Sequence, residues 1–193
     1  MRATNGAIED FSINPLTLEP MILTIGNVRP KGICGSGLIT MVATLFETGV
    51  IDNRGKFDRG LKTDRIRQTD GVWEYVLAWK ASTQIDRDIV LTEIDIENLI
   101  RAKGAIYSGC MTLLHEIGMS MEMIDRIVLA GGFGSTIDLE KAKTIGLLPE
   151  TETEKVVFVG NSSLRGAQFV TLANDLRGDI VELSGRITNF EWK

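Results

Sequence analysis

Two glycine-rich runs carry the residue types best suited to chemistry: Gly32-Ile33-Cys34-Gly35-Ser36-Gly37 and Gly131-Gly132-Phe133-Gly134. Neither supplies a nucleophile with a base beside it. What they offer is bare backbone, which can turn sharply and let a ligand approach closely. The first run opens a helical pattern over Leu38 to Glu47, so its free N–H groups and the helix dipole favour an anion there. Ser36 adds a hydroxyl donor. No Lys-Ser or Lys-Thr pair follows the last glycine, so the run is not a Walker loop. The dinucleotide fingerprint is absent too, because the spacing differs and no acidic residue ends a second βα unit. Either run is also compatible with a capping turn that binds nothing. Cys34 reads as an activated thiol near a helix start or as a small buried side chain in a crowded loop. Lys103, on the apolar face of a long helical pattern, is placed to lie against a flat ring or to snorkel along the surface.

The elements that must position these residues follow from periodicity. Ala7 to Asn14 and Met21 to Val28 alternate as a hairpin around Asn14, Pro15 and Pro20. Gly49 ends the first helix. Asp52 to Gly71 is charged and glycine-bearing, and reads as an exposed insertion ahead of a strand over Trp73 to Trp79. Thr92 caps a long helix, with Asp95 at its third position completing a capping-box variant. Arg126 to Ala130 is a short strand running into Gly131. Leu139 to Ile145 is a short helix stopped by Gly146 and Pro149. Val156 to Val159 is another strand, turned by Gly160-Asn161-Ser162 into a helix from about Ser163 to Ala173. Apolar strands alternating with helices imply parallel pairing. The order matches a ribonuclease H-like α/β fold, three antiparallel strands leading into parallel βα units.

Composition narrows the function. The chain has 193 residues, 44% hydrophobic and 24% charged, with a net charge of −5. That fits one soluble domain over residues 1–193. No cluster of Lys and Arg suggests a nucleic-acid surface, and no apolar run is long enough to span a bilayer. The two cysteines and one histidine are too few for a disulfide framework, a zinc site or an all-cysteine iron–sulfur cluster. A reducing, cytoplasmic setting is expected.

An ordered set of motifs carries a resemblance. Met1-Arg2-Ala3 with Gly6-Ala7-Ile8-Glu9 comes first, then Lys31 to Leu38 and Ala102-Lys103-Gly104-Ala105-Ile106. Leu129 to Gly134, Ile145-Gly146-Leu147-Leu148-Pro149 and Val159-Gly160-Asn161 follow. Together they resemble the C-terminal region of the reductive activators of corrinoid proteins. These belong to the superfamily of acetate and sugar kinases, heat-shock chaperones and actin. The resemblance implies the second, adenosine-binding lobe of that ATPase fold. It implies ATP coupled to the return of corrinoid Co(II) to Co(I) on a methyltransferase or a corrinoid iron–sulfur protein. It further implies nucleotide contacts at Gly35, Ser36, Gly37, Lys103, Gly131, Gly132, Phe133 and Gly134, with Lys103 on the adenine or ribose side.

The departures set further expectations. Family members also carry a [2Fe-2S] domain and a first ATPase lobe with two Asp-x-Gly phosphate loops that hold Mg²⁺. Neither is visible in these 193 residues, so weak binding of ATP or ADP without hydrolysis is expected. Small residues on the Asn161 to Ala173 helix leave room for self-association as a homodimer. Two alternatives stay open: a lobe of another superfamily kinase or dehydratase activator, and a non-enzymatic docking lobe for a corrinoid protein.

Overall fold

The computed structural model describes residues 1–132 and 137–188. By internal packing these fall into two compact units. The first holds Met1–Gly109 and Ile137–Glu150, and the second the rest of the chain.

The first unit begins with the expected hairpin. Strands β1 (Ala7–Ile13) and β2 (Pro20–Thr24) pair antiparallel, with Ile8 opposite Thr24 and Ile13 opposite Pro20. The turn is pinned by Asn14, whose side-chain oxygen accepts from the N–H groups of Leu16 and Thr17. A two-residue strand β3 (Gly32–Ile33) adds parallel to β1 on its other side. Helix α1 (Gly35–Glu47) follows at once and packs on β1. Gly49, at φ 72°, terminates it.

The region read as an exposed insertion is partly built into the core. Ile51 and Phe57 are buried and form an isolated bridge. Beyond them β4 (Ile66–Thr69), β5 (Val72–Ala78) and β6 (Ile89–Thr92) make a separate antiparallel sheet in the order β4-β5-β6. The strand expected near Trp73 therefore pairs with its sequence neighbours and not with the first hairpin. Arg67 fastens this sheet by ion pairs at 2.8 Å to both Glu74 and Asp88. Tyr75, fully buried, donates its hydroxyl to the Leu18 carbonyl at 2.7 Å, tying β5 to the first hairpin's turn. Burial raises the Tyr75 phenol well above its ordinary range.

Helix α2 (Glu93–Glu116) starts on the expected capping box. The Asp95 carboxylate accepts from the Thr92 N–H at 3.0 Å, and the Thr92 hydroxyl accepts from the Asp95 N–H at 3.1 Å. The buried Glu93 accepts from the Phe57 N–H and from Lys56, both at 3.1 Å. Short helix α3 (Leu139–Thr144), capped by Asp138, completes the unit. Its core joins Ile8, Phe11, Ile39, Met41, Leu45, Tyr75, Leu91 and Ile96, all nearly inaccessible to solvent.

In the second unit β7 (Ile127–Ala130) and β8 (Val156–Gly160) pair in parallel, as their apolar runs imply. Helices α4 (Ser162–Leu172) and α5 (Leu176–Gly185) follow. Among the described residues of this unit only Leu114 and Val156 are buried apolar side chains. No helix of the described chain is long and apolar enough to cross a membrane.

Candidate functional site

The first glycine run is organised around one peptide oxygen, the Ile8 carbonyl in β1. It accepts from the Cys34 N–H at 3.2 Å and from the Cys34 thiol at 3.1 Å. Gly37 lies so close that a Cβ there would stand 2.2 Å from the same oxygen. Ser36 is buried with its hydroxyl 3.3 Å from the Cys34 sulfur. Cys34 is therefore the small buried side chain of the two readings. Gly37 and Ser36 serve the seating of α1 on β1, which the sequence could not separate from a ligand role.

Gly35 differs from its neighbours. It is half-buried and lines a cavity of about 670 Å³ with Lys31, Cys34, Leu38, Arg87 and Asp88. That volume is in the range of small-molecule sites. The two acids bordering it are already committed. Asp95 is bound in the capping box. Asp88 accepts from the Lys80 N–H at 2.6 Å and from Arg67, and these two donors hold its carboxyl below the usual carboxylate range. Lys31 and Arg87 form no ion pair among the described residues. The helix start adds N–H groups with no acidic side chain in the first turn. The cavity is thus suited to an anion-bearing ligand.

Lys103 is found elsewhere in the unit. Its ammonium donates to the Ile145 carbonyl at 2.5 Å, capping the end of α3, and it lines a second cavity that shares no residue with the first. The structure does not bring Lys103 to the Gly35 loop.

The second unit carries its own glycine pair. At the C-terminal ends of β7 and β8, Gly131 has φ 100° and Gly160 φ 66°, conformations that side chains rarely tolerate. The Gly131 N–H donates to the Gly160 carbonyl at 2.7 Å. A Cβ built on Gly131, Gly132 or Gly160 meets nothing within 4 Å. The glycines are thus required by the backbone turn, and they leave open space above two parallel strand ends, where open α/β sheets bind ligands. Helix α4 begins directly after, its N-cap Asn161 accepting from the Leu164 N–H at 3.0 Å. Gly160 was not singled out as a site residue from the sequence. The repeated strand-then-glycine pattern at Ala130-Gly131 and Val159-Gly160 is the signal that identifies it. Phe133 and Gly134 lie outside the described residues.

A hairpin leading through a capped helix into a parallel pair with glycines at both strand ends is the ribonuclease H-like lobe of the actin, hexokinase and heat-shock chaperone ATPase fold. A solved structure confirms that class. The "Reductive activator for corrinoid,iron-sulfur protein" superposes with a TM-score of 0.91 at 44% identity, covering 99% of this chain and 30% of that one. The chain belongs to the family described as the C-terminal domain of RACo, the ASKHA domain, whose model matches residues 1–193. Among curated relatives, the "Corrinoid activation enzyme RamQ" of Eubacterium limosum is 35% identical over 185 residues, 92% of this chain and 31% of that protein. The "[Co(II) methylated amine-specific corrinoid protein] reductase" of Methanosarcina barkeri is 28% identical over 157 residues, 81% of this chain and 25% of that protein. The chain thus spans less than a third of the length of each.

Proposed function

We propose that this chain is the nucleotide-binding lobe of an ATP-dependent reductive activator of corrinoid proteins, returning Co(II) to Co(I) on a methyltransferase or corrinoid iron–sulfur protein. The observation that carries the reading is the family match over all 193 residues, together with relatives whose names refer to corrinoid proteins. Open backbone at Gly131 and Gly160 fits a nucleotide, because a side chain there would fill the space above the strand ends. In the first unit, and considered by itself, the Gly35 cavity with Lys31 and Arg87 on its border is suited to a phosphate-bearing ligand.

The expected iron–sulfur cluster does not fit this chain's own residues. A [2Fe-2S] cluster takes four thiolates, or two with two histidines, and the chain has two cysteines and one histidine. Among the described residues no cluster of three or more His, Cys, Asp or Glu could hold a metal ion. A nucleotide-bound Mg²⁺ needs only one or two carboxylates besides the phosphates, so it is the family resemblance that assigns Mg²⁺, the γ-phosphate clamp and the cluster to other parts of a longer protein. Phosphoryl transfer depends on that clamp, so the 193-residue chain binds ATP and ADP weakly without hydrolysing either.

Calorimetry with both nucleotides and a phosphate-release assay test this. Saturable binding with no phosphate release is expected. Brisk turnover by these 193 residues would overturn the division of labour, and no binding at all would remove the nucleotide role. Gly132→Val, at a glycine with no positive φ and open space around it, lowers affinity if the strand ends hold the ligand, and Arg87→Ala tests the Gly35 cavity independently. In the intact protein, ATP-dependent conversion of Co(II) to Co(I), followed in the visible spectrum of the corrinoid, is the activity expected. A cytoplasmic location and self-association belong to the same proposal, the latter read by analytical ultracentrifugation.

A docking role for a corrinoid protein has one observation in its favour. The second unit leaves Val128, Phe158, Leu164 and Phe169 exposed, and parallel strands are ordinarily covered on both faces. Tight capture of a purified corrinoid protein in the absence of nucleotide would favour it.

A further inference from the structure

A cavity of about 200 Å³ lies in the first unit between α1, the turn at Ile51–Gly55, α2 and the end of α3. Its walls are mainly aliphatic, from Val42, Ile96, Leu99, Ile100 and Ile145, and Lys103 is the one cation lining it. The ammonium of Lys103 is half-buried and, among the described residues, reaches a single acceptor, the Ile145 carbonyl at 2.5 Å. It forms no ion pair among the described residues. The acid that also lines the cavity, Asp52, accepts the N–H groups of Arg54 and Lys56 on its Oδ1 at 2.9 and 2.8 Å and forms no ion pair with Lys103. A cation drawn away from water is normally matched by an anion. A lysine has three N–H donors, so two remain after the carbonyl is served.

We propose that this cavity binds a small monocarboxylate with an apolar body, its carboxylate meeting the Lys103 ammonium and its hydrocarbon packed against Leu99, Ile100 and Val42. The chemistry selects this class. The aliphatic walls suit a hydrocarbon body, and the polar lining is limited to Asp52, Asn53, Lys103 and Thr144. The single cation selects one negative charge over two. The site shares no residue with the Gly35 cavity, so binding there can be measured apart from that cavity and survives the failure of the nucleotide reading.

The 193-residue chain, labelled at isoleucine, leucine and valine methyls, is titrated with sodium hexanoate while methyl spectra are recorded. Saturable shifts at Val42, Leu99 and Ile100 are expected. Hexanamide and hexylamine, matched in length, bind at least about tenfold more weakly, because a charge-assisted hydrogen bond is lost. Lys103→Met weakens hexanoate by a similar factor, with thermal unfolding confirming that the variant is folded. If that variant does not fold, Ile100→Phe, which fills the cavity and keeps the cation, is the replacement, and it abolishes the shifts. The proposal is overturned by the absence of shifts at these methyls, by equal affinity for hexanoate and hexanamide, or by undiminished binding to either folded variant. It is equally overturned if ATP displaces hexanoate from the same methyls, which would return Lys103 to the nucleotide.

Discussion

Glycines within the family motifs of this chain do unlike work, and substitution separates them. Gly37 is required by contact: an added methyl would sit 2.2 Å from the Ile8 carbonyl. Gly37→Ala is expected to cost about 2–3 kcal/mol, in the range of overpacked sites, read as a lowered urea midpoint. Gly104 lies inside α2 with nothing within 4 Å of a built Cβ. Gly104→Ala is expected to stabilise by about 0.5–1 kcal/mol through helix propensity alone, measured the same way. The sequence showed both glycines inside family motifs and could not distinguish them, because contact across 29 residues of chain is invisible to spacing. Lys103 shows the same limit. Its helical face was legible, but the carbonyl it reaches lies 42 residues away.

Elements were legible where apolar period or capping chemistry marked them. The hairpin, the Thr92–Asp95 box, the Gly49 and Gly146 stops and the β7–β8 pair all follow from local rules. Thr92→Ala is expected to lower stability by about 1 kcal/mol, as loss of an N-cap does, seen as a reduced thermal midpoint. Strand β4 was missed because Ile66-Arg67-Gln68-Thr69 has no apolar alternation. Its sheet is fastened by charge, Arg67 to Glu74 and Asp88. Strand β6 was hidden in the run leading to the α2 cap, and the pairing partner that defines it is β5.

That charge fastening gives a pH dependence. The Lys80 N–H and Arg67 hold the Asp88 carboxyl below its ordinary range, and Arg65 does the same for Glu19. Groups depressed in the folded state contribute stability above their unfolded values and lose it as pH falls through the folded ones. The thermal midpoint is therefore expected to decline on acidification below about pH 4, where free carboxylates begin to protonate. Asp88→Asn should flatten part of that decline. An acid profile identical to the parent's would show that the Arg67 network is not the origin.

At the scale of the whole chain, burial is uneven. The first unit holds an aliphatic core around Ile8, Met41, Leu45 and Ile96, whereas α4 and α5 in the second contain no buried residue. Local opening is easiest where few apolar contacts oppose it. Amides of α4 and α5 are expected to exchange with deuterium well before those of α1, in a time course read by mass spectrometry. Equal protection would mean that the apolar surface of the second unit is covered in solution, by another copy or by a partner. The fold class was legible in the order of elements. The uneven burial was not, because α5 carries Ile180, Val181 and Leu183 as a buried helix would, yet all three are exposed.

The facing turns at Gly131 and Gly160 carry a consequence for any attempt to change what this lobe accepts. Where two adjoining bends favour glycine, a guest held there under the proposed reading meets mostly peptide, and peptide is the same in every sequence. Such a platform can judge the outline of a guest but has no vocabulary of charge or polarity to exchange by mutation. Preference for one guest over another must be written into residues around that platform, and libraries aimed at the bends themselves would yield misfolded chains in place of altered taste.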